Sequence, residues 1–131
     1  MTTSQPAAPR RRWLLTSALL LAVVSCSHTP PGVGTTEKTL IRFSNESLSQ
    51  ADVFVSAPGT DARRIGTVMA GQSDMLEIPP DVAIKGNVTI VARLLARSNR
   101  PSSGPLAISP GTKLSVTLPL DTKTLVVLPA G

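Results

Sequence analysis

The stretch LIRFSNESLSQADVFVS, residues 40–56, contains two short runs in which apolar and polar side chains alternate, separated by a polar segment. In the first run, Ile41 and Phe43 fall on the same face of an extended chain. In the second run, Val53 and Val55 do the same. The segment between the runs is rich in Asn and Ser, which favour turns. The stretch therefore predicts two β-strands joined by a polar loop, each with one face directed to a core.

The same alternation recurs through the rest of the chain, with turn residues between the runs. Eight strands are predicted, at Leu40–Ser44, Ala51–Ser56, Arg64–Met69, Asp74–Ile78, Val88–Leu95, Leu106–Ser109, Lys113–Leu118 and Thr124–Leu128. Short strands spaced about 8–12 residues apart, without a helical period, are typical of a β-sandwich or small barrel. We therefore predict an all-β fold for residues 39–131, a small antiparallel β-sandwich with Greek-key, immunoglobulin-like architecture. The Cys and Trp landmarks of true immunoglobulin domains are absent, so this likeness concerns architecture alone.

The predicted core is mainly aliphatic, because the chain has only two Phe and no Tyr. Phe43 and Phe54 are expected to join Val, Ile and Leu side chains in it. Met69 and Met75 are interpreted as core residues rather than as ligands of a soft metal, because no cysteine or histidine accompanies them.

A basic segment followed by an apolar run precedes this domain. Arg10, Arg11 and Arg12 lead into WLLTSALLLAVV, an apolar run of 12 residues. A membrane-spanning helix needs about 20 residues, so the run is too short to cross a bilayer. We therefore predict that residues 1–25 are a cleaved secretory signal peptide, with the three arginines in its n-region.

The residues that end this run, Val23-Val24-Ser25-Cys26, resemble the lipobox of bacterial lipoproteins, in which aliphatic or small residues precede a cysteine. The resemblance implies transfer of diacylglycerol to the Cys26 thiol, cleavage of the Ser25–Cys26 bond and acylation of the new α-amine. Several acyl chains hold a protein stably at a membrane, whereas one chain does so only marginally. Cys26 is the only cysteine, which excludes an intrachain disulfide. The alternative is an ordinary signal cut near Ser25, which would leave Cys26 as a free thiol.

Residues 26–38 are predicted to be the lipid-modified cysteine and a flexible tether, because HTPPGVGTTE, which follows Ser27, is rich in Pro, Gly and Thr. Beyond the tether, the phrases IRFSNESLSQADVFV and RIGTVMAGQS are similar to those of small periplasmic β-sandwich modules in bacterial lipoproteins. That likeness is generic, and no functional residue is carried over from it.

The resemblance to lipoproteins implies a lipid-anchored location at a bacterial membrane, facing the periplasm or the cell surface. Ser27 after the modified cysteine implies sorting to the outer membrane if the source has two membranes. Export by the general secretory route is expected. The twin-arginine route is the alternative, because the arginines and the bulky residues after them resemble its signal, although Pro9 stands where Ser or Thr is expected.

The charge of the chain does not indicate a nucleic-acid partner. There are 13 Lys and Arg against 8 Asp and Glu, and three of the arginines belong to the signal. The mature chain therefore has a small positive excess and no Tyr or Trp for stacking on bases. A basic edge would form if the fold brought together Arg63, Arg64, Arg93, Arg97 and Arg100. The alternative is that these arginines are scattered and solvated along strand edges.

No arrangement of residues in the sequence indicates catalysis. His28, the only histidine, lies in the tether, and Cys26 is expected to be acylated, so neither forms a nucleophile–base pair in the domain. The acidic residues fall mostly in turns or at outward strand positions, where solvated charge is the ordinary explanation. No phosphate-binding glycine loop or calcium-loop spacing occurs. We therefore predict no catalytic residue, no metal site and no cofactor.

These observations favour a non-enzymatic, membrane-anchored module that binds or scaffolds an envelope protein or glycan. Strand addition at an exposed sheet edge is the expected mode of contact. The first alternative is a soluble secreted or periplasmic ligand-binding β-sandwich without lipid. A hydrolase is the remote alternative.

Overall fold

Eight strands and one short helix form residues 37–130, which together with residues 1–2 are the part of the chain described by this computed structural model. The elements are β1 (Thr39–Asn45), β2 (Ala51–Ser56), β3 (Arg63–Val68), β4 (Ser73–Ile78), α1 (Pro80–Ala83), β5 (Asn87–Leu94), β6 (Ser102–Ala107), β7 (Lys113–Leu118) and β8 (Val126–Pro129). Each predicted strand overlaps an observed one. The predictions for residues 3–36, which include the signal peptide, Cys26 and most of the tether, lie outside the described residues. Within the described part, no helix has the length and hydrophobicity needed to span a lipid bilayer.

The strands form two four-stranded sheets, in the orders β4-β1-β7-β8 and β3-β2-β5-β6. Neighbouring strands are antiparallel except β1 and β7, which run parallel with Leu40 opposite Lys113. Side chains alternate with the same period in parallel and antiparallel strands, so the sequence pattern does not separate the two pairings. The predicted all-β sandwich is confirmed, and the β1–β7 pair is its one departure from antiparallel pairing among the described strands.

The core contains aliphatic side chains from both sheets. The predicted inward faces of β1, β2 and β5 are buried, at Ile41, Phe43, Val53, Val55, Val88, Ile90, Ala92 and Leu94. Three core predictions were wrong. Phe54 lies on the outer face of β2, where it is half-buried, and Met69 and Met75 are 58% and 55% exposed.

A β-bulge in β3 explains why Met69 is exposed. The pairing of β2 with β3 shifts between Val53 and Phe54, which leaves Ile65 as an extra residue in β3. An extra residue moves the following side chains to the opposite face. Val68 rather than Met69 is consequently buried.

Two elements differ from their predicted form because tertiary context outweighs local propensity. β6 begins at Ser102 rather than Leu106, because Ser102 and Pro105 lie opposite residues of β5 on either side of an irregular step at Ser103 and Gly104, although these residues favour turns. The Ser103 hydroxyl takes part in this pairing, accepting a hydrogen bond of 3.0 Å from the Ile90 N–H. Helix α1 lies in a segment predicted as a loop, with Pro80 in its first turn, where the missing N–H has no intrahelical partner to lose.

The strand directions define two ends of the sandwich. β1 begins at one end, the base, and four connections meet at the other end, the apex. These apex loops are residues 46–50, 69–72, 95–101 and 119–125. Hydrogen bonds link them: the Leu95 N–H donates to the Gln50 carbonyl at 2.9 Å, and Asn99 Nδ2 donates to the Thr122 carbonyl at 2.8 Å.

Asn45, the last residue of β1, joins the first two apex loops and is 1% exposed. Its Nδ2 donates to the carbonyl oxygens of Ser49 at 2.8 Å, Val68 at 3.0 Å and Met69 at 3.2 Å. Its Oδ1 accepts from the N–H and the hydroxyl of Ser47, at 3.1 and 2.7 Å. The buried amide therefore has hydrogen bonds at both ends and fixes the position of these loops.

Candidate functional site

The site residues predicted from the sequence lie outside the described part of the chain. They are Arg10, Arg11, Arg12, Ser25 and Cys26. Their roles in lipidation and cleavage stay predictions. The domain itself brings together a different set of charged side chains, on the outer face of the β3-β2-β5-β6 sheet.

Asp52 is the centre of this set, because β2 lies between β3 and β5. The strand register places Thr67 of β3 and Arg93 of β5 opposite Asp52 on either side. The Thr67 hydroxyl donates to Asp52 Oδ1 at 2.8 Å. Arg64 Nη2 lies 3.0 Å from Oδ1 and also contacts the Thr67 hydroxyl, while Arg93 Nη2 lies 3.4 Å from Oδ2. One carboxylate therefore holds two guanidinium groups that come from different strands.

The same contacts lower the pKa of the Asp52 carboxyl below its ordinary value. The hydrogen bond from Thr67 is the largest cause, and the charges of Arg64 and Arg93 act in the same direction, against the opposing effect of burial. The carboxylate therefore stays ionised, and able to accept these contacts, to a lower pH than an ordinary aspartate does. Both arginine side chains are more than half exposed, so we attribute to these ion pairs positioning of the arginines more than stability.

A shallow depression of about 430 Å³ lies beside Asp52 on this face. It is lined by Phe54, Ala62, Val91, Arg93 and Arg100. The Arg93 guanidinium carbon lies 5.3 Å from the centre of the Phe54 ring, within the range of a cation–π contact. We call this surface the arginine face, defined by Asp52, Phe54, Arg64, Val91, Arg93 and Arg100. It offers three cations against one carboxylate, around an apolar floor.

The fold therefore places on one face three of the five arginines that the sequence suggested as a basic edge, namely Arg64, Arg93 and Arg100. The other two are not part of it: Arg63 pairs with Asp81 at 3.1 Å, and Arg97, in the same loop as Arg100, does not line the depression. From the sequence alone, Asp52 is expected to be ordinary solvated charge, and its contacts with two arginines are not predicted. The available signal was the outward position of Asp52 next to Phe54 in an alternating strand, but the partners come from register, which the sequence does not specify.

A second depression, of about 260 Å³, lies at the base between the start of β1 and α1. Its charged side chains include Lys38 and Glu77, which pair at 2.8 Å, and Asp81, which pairs with Arg63. Within the described ranges, no three His, Cys, Asp or Glu residues are grouped so as to hold a metal ion. We assign no chemistry to this depression.

The strand edges differ in how well they suit the predicted strand addition. β3 carries the bulge at Ile65, β6 carries Pro105 beside an irregular register, and the short β8 ends at Pro129. Bulges, prolines and short length are devices that discourage pairing with another chain. β4 (Ser73–Ile78) pairs regularly with β1 and has neither bulge nor proline, so strand addition fits best at its free edge.

Comparison with known proteins adds no family to this description. The chain matches no protein-family model, and no curated protein matches it significantly. The fold and the surface define its class: a small β-sandwich with a cationic outer face.

Proposed function

We propose that the protein is a lipid-anchored, non-enzymatic binding module of the bacterial cell envelope. The observation that carries the proposal is the lipobox-like Val23-Val24-Ser25-Cys26, placed directly after three arginines and an apolar run of 12 residues. The fold supports it, because β1 begins at Thr39 and the sandwich that follows has its own core. In this proposal, acylated Cys26 holds the domain at the membrane and the domain supplies the binding surface.

Replacing Cys26 by alanine tests the anchor. The wild-type protein is expected in the membrane fraction, with an intact mass that lacks residues 1–25 and includes acyl chains. Cys26→Ala removes the thiol that accepts diacylglycerol, so the membrane-bound fraction is expected to fall roughly tenfold or more, since no acyl chain remains to insert. Fractionation with immunoblotting and intact mass spectrometry measure both quantities.

Ser25→Ala is the matched control, because alanine at this position keeps the lipobox pattern. This variant is expected to stay acylated and membrane-bound. A wild-type mass that shows Cys26 as a free thiol would contradict the proposal. It would favour the alternative of a soluble secreted or periplasmic ligand-binding protein.

The arginine face is the binding surface in this proposal, and an anionic glycan of the envelope is its ligand. Guanidinium groups bind carboxylates and phosphates through paired hydrogen bonds. Arg100 lines the depression next to Arg93, which Asp52 and Phe54 hold in place. The apolar floor of Phe54 and Val91 suits the carbon face of a sugar ring, and the open depression suits an extended chain rather than a small enclosed substrate.

Replacing Arg100 by alanine is expected to weaken binding of tetragalacturonate, a linear glycan of four uronic acids, by about tenfold, the usual effect of one charge-assisted contact. Arg93→Ala is expected to act similarly, and binding is expected to weaken as salt increases. Isothermal titration calorimetry of the purified protein, expressed from the full chain, measures the dissociation constants. Arg42→Ala, on the exposed face of β1 in the other sheet, is the control and should leave the affinity unchanged. Equal losses in Arg42→Ala and Arg100→Ala, or no measurable binding by the wild type, would contradict the assignment of this face.

A further inference from the structure

Each of the four apex loops exposes one large apolar side chain. Leu48 is 79% exposed, Met69 58%, Leu95 65% and Leu120 61%. Single exposed apolar residues are common on proteins, but one on every loop at the same end of a domain is a local concentration. This concentration makes the apex a candidate interaction site.

The loops that carry these side chains are fixed by internal hydrogen bonds. The Asn45 side chain donates hydrogen bonds to the carbonyl of Ser49, which follows Leu48, and to the carbonyl of Met69. The Leu95 N–H donates to Gln50, and Asn99 connects the third apex loop to the fourth. The loops that carry the four apolar side chains are therefore connected to one another, and the backbone groups in these bonds do not need a partner outside the domain.

We infer that the apex docks on a phospholipid bilayer, with Leu48, Met69, Leu95 and Leu120 inserted at the boundary of headgroups and acyl chains. A bilayer offers few hydrogen-bond partners below its headgroups, and the hydrogen bonds that link these loops reduce the number of backbone groups that must reach water or headgroups. The side chains stand on separate loops between small or polar neighbours such as Ser47, Ala70 and Ala96. This arrangement fits a fluid surface, which closes around each side chain. A protein partner would instead need a matching set of pockets.

The charges of the apex loops indicate which lipids take part. Arg97 and Lys123 are exposed there, and so are Glu46 and Asp121. Arg100, in the same loop as Arg97, lines the depression of the arginine face. The apex loops therefore have an excess of only one positive charge, and burial of aliphatic side chains rather than attraction to anionic lipid drives the contact.

The apex and the lipid anchor can share one bilayer, a step that rests on the proposed function. Twelve residues lie between Cys26 and Thr39, and the chain from one to the other spans at most about 45 Å when fully extended. The longest of the described strands, β5 with eight residues, is about 27 Å long. The chain before β1 is thus long enough for the domain to turn its apex to the membrane that holds Cys26. The anchor would raise the local concentration of the apex at that membrane.

Fluorescence quenching tests the inference in the full-length protein, produced in bacteria and reconstituted in vesicles of phosphatidylethanolamine and phosphatidylglycerol. Leu48→Cys and Leu95→Cys each carry a bimane label at the apex. Ile84→Cys carries it at the base, where Ile84 is exposed to a comparable 72%. Bimane at the apex is expected to be quenched several-fold more by doxyl-labelled lipid than bimane at Ile84, and less by aqueous iodide. Equal responses at apex and base would overturn the inference.

Two further comparisons make the test specific. Replacing the other three apex side chains by serine is expected to abolish quenching of the Leu95→Cys label by lipid, whereas Ile84→Ser leaves it intact. Because these positions are exposed, the serine substitutions should leave the midpoint temperature of unfolding unchanged. Thermal circular dichroism checks this. The same quenching is expected in vesicles of phosphatidylcholine alone. Quenching that requires anionic lipid would overturn the aliphatic contact and assign it to charge.

The mass of the labelled protein separates this result from the lipid anchor. If Cys26 carries acyl chains and the apex label stays in water, the docking inference fails and the anchor stands. If Cys26 is a free thiol, it takes up a second label and the proposed anchor is wrong. The quenching measurement is then repeated in the Cys26→Ala background. The same difference between apex and base labels supports docking there, and its absence overturns the docking inference.

Discussion

Replacing Phe43 by alanine is expected to lower the free energy of unfolding by about 3–5 kcal/mol, the cost of emptying a large buried aromatic site. Phe43 is fully buried, and it is the largest of the fully buried side chains among the described residues. It lies on β1, which is paired on both sides, with β4 and β7. Neither neighbour can move inward to fill the space without breaking its own pairing, so a cavity remains. Since domains of this size are stable by only about 5–15 kcal/mol, the loss is a large share of the total.

Phe54→Ala is the matched control, because Phe43 and Phe54 are the only phenylalanines in the chain. Phe54 is half-buried on the outer face of β2 and contacts Arg93 rather than the core. Its removal exposes the depression further but leaves no closed cavity, so a loss of about 1 kcal/mol is expected. Denaturant unfolding of both variants measures the two losses in the free energy of unfolding. The comparison requires that this free energy falls with denaturant concentration at the same slope in both variants. Losses of equal size would show that Phe43 does not lie at the centre of the core.

Replacing Asn45 by alanine is expected to lower the free energy of unfolding by about 2–4 kcal/mol, because buried polar partners are left without hydrogen bonds. The side-chain amide of Asn45 serves three carbonyls and the N–H and hydroxyl of Ser47. Alanine cannot replace any of these contacts. Water can reach the partly buried carbonyls of Ser49 and Met69 more easily than that of Val68, which keeps the loss below the sum of all contacts.

Asn99→Ala is the control for this second substitution. Asn99 also donates from its side chain to an apex loop, at 2.8 Å to the Thr122 carbonyl and 3.0 Å to its hydroxyl. Because Asn99 is exposed, water replaces it and a loss below about 1 kcal/mol is expected. Surface substitutions usually change the free energy of unfolding by no more than about 0.5 kcal/mol. If Asn45→Ala changes it by no more than this, Asn45 is not a structural link between the loops.

The sequence pattern was sufficient for the strands whose alternation is uninterrupted. Ile41 and Phe43 in β1, Leu76 and Ile78 in β4, and Val116 in β7 are buried as their phase predicts. Hydrophobic alternation at period two carries this information directly, because it states which side chains must leave water. The pattern was also sufficient for the fold class, since eight short runs need two layers to cover their apolar faces.

The pattern failed in β3, where one extra residue reverses the alternation of inward and outward side chains. Ile65 is extra in β3, and the apolar set after it moves to the opposite face. The close approach of the sheets there also depends on Gly66, since a Cβ at that position would lie 2.5 Å from Leu76 Cδ2. A bulge of this kind is set by pairing with β2 and by packing against β4, and local propensity does not contain either term.

The arginine face was hidden for the same reason. Asp52, Arg64 and Arg93 are distant in the sequence and meet only because β2 lies between β3 and β5 in a particular register. Periodicity placed Asp52 on an outward face correctly. It does not say which residue of which strand lies opposite, so the cluster becomes visible only with the sheet order.

The parallel pairing of β1 with β7 has a consequence for the order in which the domain folds. β1 is the first strand to emerge during synthesis or translocation, yet one side of it waits for Lys113–Leu118. The strands of the other sheet are complete once Ala107 has emerged. Contacts between distant segments form slowly, because a long loop must close first. The first strand is therefore enclosed only after every strand of the other sheet has emerged, and until then the nascent chain offers an open aliphatic edge to chaperones and proteases.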